Sequence, residues 1–300
     1  MKVMVTGGTG FIGSYVVDRL ASEGHEVTIL ARNPNKVAGF LKHPRIDFVE
    51  GTLTDADAIR ASLRGKDACI HIALGWGDTA VEMAMADTMP SLRIFQTAAE
   101  LGVEHLIYTS SIAAFGDGRE VYTDDTSVRP TDLYGATKAA TESYLVAMAT
   151  ENGVRANVIR PGYTFGDPVV AGASIYSDRK LPDIVEGAVR GELIPVTRNA
   201  GTQFIWAGDL ARVYSSVLSS TVDREFFTAV SADFMTWEEI ARLAVAHTGS
   251  SSRIVVEDSD LDPAIGRNDV SAIERSFGLQ FDSREHMRKH VAFLADRARA

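Results

Sequence analysis

The chain opens on a short apolar run that ends in Thr6-Gly7-Gly8-Thr9-Gly10-Phe11-Ile12-Gly13, and a helical pattern starts inside that loop. Little else in the sequence restricts the fold as tightly. Glycines here let the backbone turn sharply, approach a ligand closely and bring the following helix against the strand. A helix that begins at such a turn offers unpaired N–H groups and a partial positive charge. A pyrophosphate suits that environment. The competing reading is a tight strand-to-helix turn with no ligand. The order strand, glycines, helix in the first unit of the chain weighs against it.

The rhythm persists through the first half. Apolar, strand-like runs occupy residues 2–6, 26–31, 47–50, 68–73, 105–109 and 156–160. Helical patterns lie between them at 12–23, 55–63, 88–101 and 134–152. Strands apolar on both faces, separated by helices, imply a parallel sheet covered on both sides. Right-handed crossovers then make it doubly wound, the Rossmann arrangement of the α/β class. After Gly166 the rhythm breaks: a mixed loop at 169–178, a helix at 182–190, an apolar run and helix at 202–214, and a strand at 225–230. A helix at 236–248 opens on a Thr236/Glu239 capping box and gathers Trp237, Ile240, Leu243, Ala244 and His247 on one face. The expected division is a dinucleotide-binding domain over 1–166, to which 204–231 returns. A smaller C-terminal substrate-binding lobe takes 167–203 and 232–300.

The end of the second strand bears on the ligand. An acidic residue there would bind adenosine ribose hydroxyls. Instead Arg32 stands there, with Lys36 nearby. A guanidinium can hold a 2′-phosphate and stack on adenine, which favours NADP over NAD.

Tyr134 and Lys138 stand four apart at the start of a helical segment and share a face. A nearby ammonium favours the phenolate and brings tyrosine toward the range of a working acid or base. Ser110-Ser111 end the fifth strand, at the edge where open α/β sheets bind ligands.

The remaining signals exclude other chemistry. A formal net charge of -10 disfavours contact with nucleic-acid phosphates. The single cysteine, Cys69, lies in an apolar run and reads as a buried small hydrophobe. His71, on an apolar strand, reads as a satisfied core histidine. No His/Cys spacing fits a metal, and no Gly-x-Ser-x-Gly elbow is present. No signal peptide and no membrane-length apolar run is seen, so a cytoplasmic location is the expectation.

Taken together, these residues resemble the extended short-chain dehydrogenase/reductase family, also called the NAD-dependent epimerase/dehydratase family. The resemblance is carried by the glycine loop, Tyr108–Gly116, the Tyr-x-x-x-Lys pair, and Arg160-Pro161-Gly162 before Phe165-Gly166. It implies Ser111, Tyr134 and Lys138 as the catalytic trio. It implies Gly7, Thr9, Gly10, Phe11, Ile12, Gly13, Arg32, Leu53, Ala73, Tyr134, Lys138, Pro161 and Gly162 along the dinucleotide. It also implies homodimers through the helices at 88–101 and 134–152.

Departures from the family pattern inform the substrate. Ala31 replaces an aspartate, Thr52 replaces the aspartate of Gly-Asp-Leu, and Asp87 stands roughly where an asparagine is common. Tyr163 and Thr202-Gln203 stand where sugar-nucleotide enzymes of the family keep asparagine and an Arg-Asp pair. Losing those donors removes contacts a diphosphate wants. Trp76, Tyr163, Phe165 and Trp206, beside Ser110, offer apolar walls instead.

The expected activity is an NADP(H)-dependent oxidoreductase on a small-molecule ketone, aldehyde or alcohol, nearest the dihydroflavonol-reductase and 3β-hydroxysteroid-dehydrogenase branches. The alternatives are a nucleotide-sugar epimerase or dehydratase with tightly bound NAD(P), and a non-catalytic dinucleotide sensor.

Overall fold

The computed structural model describes residues 1–175 and 179–300. Residues 176–178 of the loop expected at 169–178 lie outside the described residues. At its centre is a seven-stranded sheet. From edge to edge it runs Phe226–Ala229, Arg155–Pro161, His105–Thr109, Ala68–His71, Lys2–Thr6, Glu26–Ala31, Ile46–Glu50. Every pairing is parallel. The strands are built for burial on both faces, and His105–Thr109 has no exposed residue.

The chain winds outward from the first strand in one direction through the second and third, then crosses to lay down the fourth on the other side. The carboxyl ends of Lys2–Thr6 and Ala68–His71 therefore part at a topological switch point, where open α/β sheets form their ligand crevice. One sheet face is covered by Phe11–Ser22 and Ala207–Ser219, packed through Val16, Val17, Leu20, Leu210, Val213 and Val217. The other is covered by Ala56–Leu63, Met89–Glu100 and Leu133–Asn152, through Ile59, Leu63, Ile94, Phe95 and Leu145.

Two local departures from the sequence expectation have identifiable causes. The fourth strand ends at His71, not at residue 73, because Thr6 Oγ1 captures the N–H groups of Ile72 at 3.1 Å and Ala73 at 3.2 Å. The helix expected from residue 88 is preceded by Ala80–Met83 and a π-helical turn, Ala84–Thr88. Pro90 explains that turn. Proline has no N–H for the preceding turn's carbonyl and clashes with a regular helix, so the backbone widens.

A second core gathers Phe165, Leu181, Val185, Phe204, Met235, Trp237, Ile240, Met287 and Val291. Gly201–Trp206 lies between Tyr163–Phe165 and Phe234–Thr236, and Ile194–Thr197 pairs with Ile254–Glu257. The Thr236/Glu239 capping box forms, and the helix runs Trp237–Thr248. Ala241 rather than His247 belongs to its buried face, and His247 is exposed. The basic last helix, Arg284–Arg299, buries Met287, Val291 and Leu294 and turns its arginines outward. Among the described residues, no helix is long and apolar enough to cross a membrane.

Candidate active site

The crevice at the switch point has a volume of about 930 Å³. Its floor is the glycine loop. Gly7 holds φ +71°, and a Cβ there would stand 2.7 Å from the Ala73 nitrogen. A Cβ on Gly13 would stand 2.1 Å from the Gly7 carbonyl oxygen, so only glycine lets the helix approach its own strand. The helix Phe11–Ser22 starts from Gly10 with no side-chain cap and no acid in its first turn. Its first N–H groups are therefore left for an anion.

The crevice then extends both ways. On one side it is lined by Ala31, Arg32, Lys36, Thr52 and Leu53, and on the other by Ala73, Ser110, Ser111, Tyr134, Lys138, Pro161, Gly162 and Tyr163. Thr9, Gly10, Phe11 and Ile12 line the middle. Ser110 is 2% exposed and its hydroxyl has no partner, so a buried polar atom faces the cavity unsatisfied. The glycine cradle, the uncapped helix and this orphaned hydroxyl fit a nicotinamide dinucleotide laid across the crevice.

Local packing brings the trio together. Asp132 caps the long helix by accepting the Gly135 N–H at 2.6 Å. A Cβ on Gly135 would stand 2.3 Å from the Ala113 carbonyl oxygen, so this glycine seats the helix directly on the turn Ile112–Phe115. Ser111 caps that turn, accepting the Ala113 N–H at 3.2 Å, and its hydroxyl lies near enough to the Tyr134 phenol to influence its acidity. One helical turn on, Lys138 is 3% exposed, with its Nζ 5.2 Å from the Tyr108 ring centroid and 5.7 Å from that of Tyr134.

The electrostatics differ from the sequence expectation. Burial raises the Tyr134 phenol above its ordinary value, the nearby Ser111 hydroxyl pulls it back, and Asp87 and Asp132 add to the rise. Lys138 does not bring the phenol down toward neutrality as expected. Its Nζ lies 3.3 Å from Asp87 Oδ2, so a carboxylate offsets the ammonium's field. Burial lowers Lys138 itself, while Asp87 holds it up.

Asp87 is fixed by a directed chain of hydrogen bonds. Thr6 Oγ1 accepts two backbone N–H groups and so donates to His71 Nδ1, at 2.6 Å. His71 Nε2 then donates to Ser91 Oγ at 2.8 Å, and Ser91 donates to the Asp87 carbonyl at 2.7 Å. Burial, with Lys138 nearby, lowers His71 to about 3, which keeps it neutral. As expected, His71 is a satisfied core residue and Cys69 a buried one, its thiol pushed up to about 12 by burial.

Three of the expected apolar walls stand apart from the crevice, Phe165 because it is buried in the second core. Trp76 is 67% exposed and sits 6.2 Å from the Tyr134 ring, with Leu74 and Gly75 lining the cavity in its place. Trp206 does not line the crevice. It stacks on His286 of the last helix at 4.0 Å and meets Tyr15 edge-on.

The profile of the NAD dependent epimerase/dehydratase family matches residues 3–227. The chain belongs to this family. Among family members, it is 28% identical over 179 residues to a 3 beta-hydroxysteroid dehydrogenase/Delta 5-->4-isomerase of Mycobacterium tuberculosis, covering 55% of this chain and 48% of that protein. It is 33% identical over 162 residues to a UDP-glucose 4-epimerase of Neisseria meningitidis, covering 48% of this chain and 47% of that protein. The chain thus spans about half the length of these curated relatives. Among solved structures, UDP-glucuronic acid 4-epimerase from Bacillus cereus, in complex with NAD, superposes with a TM-score of 0.84 at 15% identity. That likeness covers 100% of this chain and 99% of the other, and it bears on the fold alone.

Sequence reasoning missed several residues of this family member's crevice. Trp237, Ala86 and Pro90 line it without having been expected there. Trp237 belongs to the second core, and no local pattern announces that meeting. Asp87 drew notice only as a departure from the family pattern. A stronger signal was available, since Asp87 and Ser91 are polar residues four apart on the buried face of an apolar helix.

Proposed function

We propose that this protein is an NADP(H)-dependent oxidoreductase that interconverts a ketone or aldehyde with its alcohol. The distribution of charge along the crevice carries this reading. Among the described residues that line it, the cations are Arg32, Lys36 and Lys138. The first two follow the second strand, where adenosine would lie, and Lys138 is paired with Asp87. The reacting end offers Ile112, Met85, Tyr163 and Trp237. A sugar diphosphate needs cations there, whereas an uncharged carbonyl compound needs apolar walls and a few placed hydroxyls. At the far end, Arg32 suits a 2′-phosphate.

A bound nicotinamide would supply hydride exchange at the substrate carbon. The chain's own residues would do the rest. Ser111 would hold the reacting oxygen, and Tyr134 beside it would give or take its proton. Lys138 would hold the ribose and the tyrosine in register. The same reading includes a homodimer through the helices Met89–Glu100 and Leu133–Asn152, whose Met89 and Tyr144 are exposed.

The 33% identity to a UDP-glucose 4-epimerase favours a second reading, in which the substrate is oxidised and reduced again with no net use of cofactor. Titrating the purified protein with NADPH and NADH, then screening carbonyl compounds for cofactor oxidation, separates the two. Tighter NADPH binding with oxidation on a ketone or aldehyde is expected. Arg32→Asp should shift preference toward NADH by roughly tenfold or more. Binding without oxidation across sugars and ketones alike would move the conclusion to the second reading, and an unchanged preference in the variant would remove Arg32 from the argument.

A further inference from the structure

The buried carboxylate of Asp87 stands beside the trio without belonging to it. Pro90 and the π-helical turn at Ala84–Thr88 aim it inward. Its two oxygens are divided between different elements. Oδ1 accepts the Gly75 N–H at 3.2 Å, and Oδ2 forms an ion pair with Lys138 Nζ at 3.3 Å while accepting no hydrogen bond. Both side chains are almost fully enclosed, Lys138 at 3% and Asp87 at 1%. Gly75 is pinned as well, since a Cβ there would stand 1.8 Å from the Ala86 carbonyl oxygen. Behind the carboxylate, the chain from Thr6 through His71 and Ser91 ends on the Asp87 backbone and leaves it little freedom.

We propose that Asp87 is a positioning residue that grips the Lys138 ammonium with one oxygen and the cavity-lining Gly75 backbone with the other. It couples the tyrosine–lysine pair to the loop over the substrate end. The inference rests on Tyr134 and Lys138 being the working pair, and it holds whichever carbonyl compound they act on.

A pH consequence follows from charge alone. The titratable groups around Lys138 are Asp87 on the π-helical turn, His71 and Tyr108 on the sheet, and Tyr134 and Glu142 on its own helix, with Asp132 at the cap. His71 is neutral, and Glu142 is held by Arg160 at 2.8 Å. Asp87 is the carboxylate that pairs with the ammonium. Removing one negative charge from such a buried cluster makes every proton easier to lose.

The test is ultraviolet titration of tyrosinate in the protein without cofactor, with Tyr134 isolated by subtracting the Tyr134→Phe variant. In Asp87→Asn, which keeps an acceptor for Gly75, the Tyr134 transition should move to lower pH by about one pH unit. Dinucleotide affinity should weaken at the high-pH end as Lys138 loses its proton earlier. Asp87→Glu, which retains the charge, should leave the transition within a few tenths of a pH unit of the parent. A folded Asp87→Asn protein with an unmoved transition overturns the proposal. So does Asp87→Glu shifting as far as Asp87→Asn would, and this comparison with the parent stands even where Asp87→Asn does not fold. Failure of the underlying reading is distinct: Tyr134→Phe would then turn over substrate at the parent's rate, whatever Asp87 does.

Discussion

His71 shows how one buried side chain carries a consequence far from the reaction. Both ring nitrogens are engaged, Nδ1 accepting from Thr6 and Nε2 donating to Ser91, so the neutral ring is the one that fits. Burial lowers it from 6.5 to about 3, and it lowers His105 to about 3 as well. The unfolded chain takes up protons at both below about 6.5, while the folded chain resists until about 3. Stability is therefore full above that upper value and falls as pH drops through the window, by about 1.4 kcal/mol per histidine for each pH unit. Urea midpoints at neutral and mildly acid pH should record the loss. His71→Gln should be less stable at neutral pH yet lose less on acidification. A variant with the parent's full acid sensitivity would show that His71 does not carry the effect.

At the scale of elements, the glycine loop and the first helix act as one unit. The close approach of Gly13 to the Gly7 carbonyl brings the helix N-terminus over the crevice. Gly13→Ala forces the two apart, at roughly 1–3 kcal/mol of stability by the usual cost of overpacking. The displaced helix should also lose most of its dinucleotide affinity. Fluorescence titration of the folded variant checks this, and parent-like affinity would mean the loop is only a tight turn. The same scale explains the π-helical turn. A proline four residues past Ala86 widens the helix, and the widened turn delivers Asp87 to Lys138.

At the scale of the whole molecule, the crevice joins two cores. The sheet supplies the dinucleotide side, and Trp237, rooted in the second core with Lys180 over its ring at 4.3 Å, reaches the reacting end. Trp237→Ala should destabilise that core by roughly 3–5 kcal/mol. It should also raise KM for the substrate by roughly tenfold, with dinucleotide affinity little changed. Equal losses of both affinities would show that the two cores do not divide the ligand in this way.

What the sequence by itself determined is local or periodic. The glycine loop, the apolar strands, the capping box at Thr236 and the four-residue spacing of Tyr134 and Lys138 follow from backbone sterics and helix or strand repeat, so they are legible without a fold. Tertiary structure decided the contacts between segments distant in the chain. Pairing of Ile194–Thr197 with Ile254–Glu257, the turn of Trp206 toward His286 and the reach of Trp237 into the crevice leave no periodic trace. The charge state of the site belongs there too. Tyr134 and Lys138 alone predict a lowered phenol. Burial, and a carboxylate brought from another helix by a proline-widened turn, raise it instead.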